Sequence, residues 1–322
     1  MMQQMQMRGV GAGIVWIASC GFLVGQQSSP PKPLEKKAGA AAYIRLQKDA
    51  GGQPTSLDTA TVRLVSPAGQ ADLIVDLVGV VHVADKDYYD RLNHQLEEYD
   101  VVLYELVAEP GTRIPKGGKR DTDNPVAMIQ RLMKSVLNLE LQTEQIDYTR
   151  KHFVHADLSP EQLLDAAKDR GEDGLTIALG VAADLLRQKN LQEKNAAKNP
   201  PPALPDIDVG EMLLDPDGPA KLKRVLAQQM AQLEDPTSGL GQTLSTILVA
   251  DRNKAALKVF QKELAKGKKK IAIFYGAAHM PDFEKRLADD FDLKRSKETW
   301  QTAWDLKKQG SALEGLLKEL LK

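Results

Sequence analysis

Two stretches far apart in this 322-residue chain share one design: an apolar, strand-forming run that ends in Gly-x-x-His. The first covers residues 73–81 and closes on Gly79-Val-Val-His82; the second, Ile271-Ala-Ile-Phe-Tyr275, closes on Gly276-Ala-Ala-His279. Short apolar runs of this kind read as strands buried on both faces of a helix-covered sheet. After His82, Asp85 reads as a helix N-cap, and Tyr88, Tyr89, Leu92, Leu96 and Tyr99 follow at helical spacing. Val101-Val-Leu-Tyr104 is then another buried strand, ending at Glu105. Strand, crossover helix and strand make a right-handed βαβ unit. Ligands in such sheets bind beyond the carboxyl ends of the strands. His82, Glu105 and His279 are expected to meet there, at one edge of one sheet.

The rest of the chain fits an α/β fold: one mixed sheet flanked by helices, with a helical insertion (about 125–265) between the two Gly-x-x-His strands. Residues 42–46 and 61–65 alternate in hydrophobicity between turn signals, so they are expected to pair antiparallel. Helices are expected over residues 126–139, 174–191, 219–233 and 240–264, with another opened by Ser159-Pro-Glu-Gln162. Asn199-Pro-Pro-Pro-Ala-Leu-Pro205 interrupts them. Trp300 and Trp304 lie in a stretch with no clear period. Ser311-Ala-Leu-Glu314 is a capping box before a stripe of Leu313, Leu316, Leu317, Leu320 and Leu321, a terminal helix expected to pack on its own domain, 43–322.

Charge is balanced, 43 basic residues against 44 acidic, which argues against a nucleic-acid partner. The compact basic run Lys268-Lys-Lys270 reads as a solvated turn before a strand. A single cysteine excludes an intramolecular disulfide. The N-terminus carries an address instead. Arg8 precedes an uncharged stretch, residues 9–25, and a polar, proline-rich exit, the pattern of a bacterial export signal. Ile17-Ala-Ser-Cys20 resembles a lipobox, so lipidation of Cys20, cleavage near Gly25 and an uncleaved anchor all stay open. Residues 26–42 read as a tether. The folded part is expected outside the cytoplasm, in the periplasm or on the outer face of the envelope, with a membrane tether through the N-terminus.

The chemistry suggested by these residue types is metal binding. A histidine at the end of a buried strand is presented with little positional freedom. Gly79 and Gly276, three residues earlier, permit close approach. A carboxylate after an apolar strand is costly to bury unless paired or coordinating a cation. Two imidazoles and a carboxylate suit Zn, Mn, Co or Fe and leave positions open for water or substrate. Arg252 has two readings: it holds a substrate carboxylate or developing oxyanion, or it salt-bridges Asp251, Glu263 or the sheet-end carboxylate. Asn253 reads as a hydrogen-bonding support. His155 and Asp157 would share a face if extended and could add ligands, although such a segment is more often a loop. His152 and His94 read as surface or helix-packing residues. No Gly-x-Ser-x-Gly, Walker or dinucleotide fingerprint is present.

Leu77-Val-Gly-Val-Val-His-Val83, Tyr104-Glu-Leu106, Asp251-Arg-Asn253 and Tyr275-Gly-Ala-Ala-His-Met280 resemble the TraB/GumN/Tiki family. The likeness spans residues 73–287; its motifs stand at the two ends, and the middle is matched by element type. At fold level such proteins resemble erythromycin esterases and ChaN-like haem-iron lipoproteins, and the animal Tiki proteins are metal-dependent, membrane-tethered peptidases. The resemblance implies His82, Glu105 and His279 as residues of a divalent-metal site (Mn, Co or Zn), with Arg252 in the same cleft. It implies hydrolysis of a peptide or amide bond or a small-molecule substrate, Glu105 serving as third ligand or general base. A non-catalytic metal- or haem-binding lipoprotein is the alternative; a non-haem iron oxygenase fits less well. Asp251 stands where the family commonly has Glu, and Val107 where an acidic residue is frequent, so peptidase activity does not follow from the metal site alone.

Overall fold

The computed structural model describes residues 43–67, 72–109, 111–112, 114–117, 137–169, 171, 215, 217–233 and 249–307. The export signal with Cys20, the tether, the capping box at Ser311, most of the helix expected over 126–139, all of that over 174–191 and residues 240–248 of that over 240–264 lie outside the described residues. Among the described residues, no helix is long and apolar enough to cross a membrane.

The fold is α/β, a mixed seven-stranded sheet flanked by helices. β1 (Ile44–Lys48) and β2 (Pro54–Val65) form an antiparallel hairpin with Ile44 opposite Thr59, so β1 pairs with residues 54–59 and not with the expected 61–65. β2 is long enough to serve two partners on one edge: β1 along its first half, β3 (Ile74–Val80) along its second. β3 leads through the two-residue strand β4 (Val83–Ala84) into α1 (Lys86–Leu96), which buries Tyr88, Tyr89, Leu92 and Leu96 as the spacing predicts. β5 (Val101–Tyr104) completes the βαβ unit. Asp85 stands at the N-cap position of α1 but makes no side-chain cap; its carboxylate accepts from Lys223 Nζ (2.7 Å) and the Asp305 N–H (2.6 Å) instead.

The stretch read as a helical insertion also supplies strands. β6 (Glu140–Leu141) pairs with β4, and α2 (Gln142–Gln145) follows it. β7 (Phe153–His155) adds a parallel strand beside β5, where a loop was the commoner expectation. Ser159 and Gln162 form a capping box at the start of α3 (Pro160–Asp169), each bonding the other's backbone N–H. α4 (Gly218–Leu233) and α5 (Asp251–Ala265) precede β8 (Lys270–Gly276). β8 inserts between β3 and β5, parallel to both, so the two Gly-x-x-His strands are direct neighbours with Val80 opposite Gly276. Val75, Leu77, Val78, Ile271, Ile273 and Phe274 are fully buried there, each contributing roughly 1.5–3 kcal/mol.

Past α6 (Met280–Phe291), the unassigned tryptophan segment proves to be β9 (Lys294–Asp305), antiparallel to β2 along most of its length. Trp304 is buried and its indole N–H donates to the Val83 carbonyl at 2.6 Å, while Trp300 lies under the Arg45 guanidinium. The charges of β9 suit an outer strand, where they discourage pairing with other chains. Asp76 breaks the apolar run of β3. It is buried and held by Arg63, opposite it on β2, through Nε and Nη2 (2.8 Å each), and by the Tyr99 hydroxyl at 2.7 Å.

Candidate functional site

The parallel strands β3, β8, β5 and β7 stand side by side, so their carboxyl ends share one edge. β3 runs on to His82, β8 through a single 3-10 turn (Ala277–His279) to His279, β5 to Glu105, and β7 to Asp157. Glu105 is central. Its Oε2 accepts from the Gly276 N–H at 2.7 Å; its Oε1 accepts from Arg252 Nη2 at 2.5 Å and lies 3.6 Å from His279 Nε2. A Cβ built on Gly276 would stand 3.3 Å from Glu105 Oε2, 3.6 Å from His82 Nε2 and 3.8 Å from His279 Cδ2. The three expected residues therefore converge on the bare face of Gly276. Gly79 does something else: a Cβ there would meet Ala60 O, Met280 and Tyr43, so it serves sheet packing and not the site.

Each imidazole is anchored through Nδ1. His279 Nδ1 lies 2.7 Å from Asn253 Oδ1, and Asn253 Nδ2 donates to the His279 carbonyl (3.0 Å) and Asp282 Oδ2 (2.9 Å). With its NH2 group so committed, Asn253 can only accept from the ring, which leaves the proton on Nδ1 and the lone pair on Nε2. His82 Nδ1 lies 2.9 Å from Gln142 Oε1, whose own Nε2 donates to the Tyr148 hydroxyl at 2.9 Å. Gln142 is the functional-site residue that sequence reasoning missed. It follows a two-residue strand 60 positions from His82, and no local pattern marks it.

Burial pushes the His279 pKa down to about 4, against the pull of Glu105, so the ring is neutral near pH 7. Burial pushes Glu105 upward, but His279, Arg252, His82 and the Gly276 N–H outweigh it and hold the carboxyl at about 2, ionised. Arg252 donates through Nε and Nη2 to Asp157 (2.9 and 2.6 Å) as well as to Glu105. Its position at the head of α5 thus gives the salt bridge to the sheet-end carboxylate, while Lys254 pairs with Asp251 and Lys266 with Glu263. Asp157 accepts further bonds from the Leu106 and Leu158 N–H groups, which makes it the counter-ion of Arg252. His155 turns to the backbone, its Nε2 donating to the Leu106 carbonyl at 2.6 Å. His152 lies against the Leu96 carbonyl and His94 is exposed, as expected for packing and surface residues.

Among the described residues, no group of three His, Cys, Asp or Glu side chains forms a ready-made metal cage. The donors at Gly276 nevertheless suit a divalent ion in kind. They comprise imidazole Nε2 atoms with the opposite nitrogen engaged, as metal-ligating histidines have. The 3.6 Å between His279 Nε2 and Glu105 Oε1 is also a span that two ligands at roughly 2.1 Å from one ion can share. Set against protein-family models, curated proteins and solved structures, the chain matches none.

Proposed function

We propose that this chain is an exported, metal-dependent hydrolase of TraB/GumN/Tiki kind, acting on peptide or amide bonds. The main support is the convergence of two imidazoles and one ionised carboxylate on Gly276, each ring tied at Nδ1 to an amide oxygen. His82, Glu105 and His279 would hold the ion, Mn, Co or Zn. A bound ion of this class polarises a carbonyl and acidifies a water molecule.

The chain's own residues account for the rest. Arg252, steadied by Asp157, keeps a positive charge beside Glu105, suited to countering negative charge on a substrate oxygen. Asn253 holds the His279 proton at Nδ1. The backbone N–H of Gly276 keeps Glu105 Oε2 in place. The N-terminal segment would carry the domain to the outer side of the membrane and can tether it there.

Elemental analysis of the purified full-length chain tests this directly. Stoichiometric divalent metal is expected in wild type and none in His82→Ala or His279→Ala, with circular dichroism unchanged. Equal metal in all three overturns the proposal. Digestion of a peptide library with added Mn, Co or Zn then tests catalysis. A Soret band on haem addition, without cleavage, favours the haem-binding alternative.

A further inference from the structure

We infer that Gln142 is a positioning residue that sets which nitrogen of His82 faces the site. His279 is enclosed by its neighbours, whereas the His82 side chain is exposed and lacks a packed surround to orient it. Its orientation comes instead from one buried amide. Gln142 is 4% exposed, its backbone N–H donates to the His82 carbonyl at 2.9 Å, and its Oε1 meets His82 Nδ1 at 2.9 Å. The pairing of Val83 with Leu141 and Ala84 with Glu140 fixes the two segments in register. Tyr148 accepts from Gln142 Nε2 and is itself packed against Tyr104 and Phe153. In the structure the amide stands with its oxygen toward His82 and its NH2 group toward the Tyr148 hydroxyl. An acceptor at Nδ1 keeps the proton there and turns an unprotonated Nε2 toward Glu105 and His279.

The metal arm of the test rests on the proposed function; the tautomer arm does not. In the full-length chain labelled with 15N-histidine, long-range proton–nitrogen spectra of the metal-free protein report each ring's tautomer. Loss of one signal set in His82→Ala assigns His82. Wild type is expected in the Nδ1–H form. Gln142→Leu should move it toward Nε2–H, the form an unrestrained imidazole favours, and Gln142→Glu, of the same shape and still an acceptor, should keep Nδ1–H. An unchanged tautomer in Gln142→Leu, or its loss in Gln142→Glu, overturns the inference. Should Gln142→Leu not fold, Gln142→Glu decides alone. In chelator competition with Zn, Gln142→Leu should bind about 10–100-fold more weakly than wild type, with Gln142→Glu close to wild type. Equal affinity in wild type and Gln142→Leu also overturns it. If wild type binds no metal, the functional proposal fails and the tautomer arm still decides this one.

Discussion

Gly79 and Gly276 end neighbouring strands in nearly matching register, yet a methyl group added to each would press on different things. At Gly79 it would meet the Ala60 carbonyl at 3.2 Å, with Met280 and Tyr43 beyond; at Gly276 it would meet Glu105 and His82. Their histidines differ as well. His82 is exposed and leans on Gln142, while His279 is 5% exposed and leans on Asn253. The difference follows from position in the sheet. β3 borders the antiparallel half, so the space around its glycine is filled by β2 and Tyr43. β8 lies between two parallel strands, and the His82 and Glu105 side chains that follow its neighbours stand over Gly276 at its end. One motif is thus a packing joint with a histidine at its rim, and the other is the cradle itself.

Substitutions can break that contrast. The largest effect is expected on the inner side. Arg252→Met leaves Asp157 and Glu105 buried without their counter-ion and should cost about 3–5 kcal/mol in urea unfolding; adding Asp157→Asn should recover part of it. The glycines come next. Gly79→Ala should lower stability by about 1–3 kcal/mol and leave metal uptake intact. Gly276→Ala should show the reverse, little change in unfolding with loss of metal, and matching phenotypes for the two would erase the distinction. The histidines should separate more gently. His279→Ala orphans the Asn253 amide oxygen and is expected to cost about 1–3 kcal/mol, whereas His82→Ala should stay within about 0.5 kcal/mol.

The pH dependence sharpens the same comparison. His279 is depressed from 6.5 to about 4 and Glu105 from 4.5 to about 2, so in both windows the unfolded chain binds more protons than the folded one. Stability of the metal-free protein should be full above about pH 6.5, fall as pH drops toward 4 and fall further toward 2. His279→Asn should flatten the upper part of that decline. Urea midpoints measured across the two windows check this.

The sheet edge was legible because its signals are local. Buried parallel strands are apolar runs, and the motifs sit where the runs stop, so His82, Glu105 and His279 could be named together. What escaped depends on partners distant in sequence. β9 is mostly polar and is a strand only through its register with β2. Asp76 can occupy a core strand only because Arg63 faces it from the next one. Asp157, which could only be kept as a secondary ligand candidate, bonds through both oxygens to Arg252, 95 positions away. The assignment of Gly79 to the site failed because a glycine's neighbours, which decide what it makes room for, leave no trace in its own segment.

The placement of β8 has a consequence for biogenesis. Among the described parallel strands, β8 is the last to be synthesised yet stands between β3 and β5, so those two have no native neighbour between them until it emerges. Contacts between such distant segments form late. A polypeptide built this way cannot finish the parallel half of its sheet until β8 has followed the other parallel strands out of the ribosome.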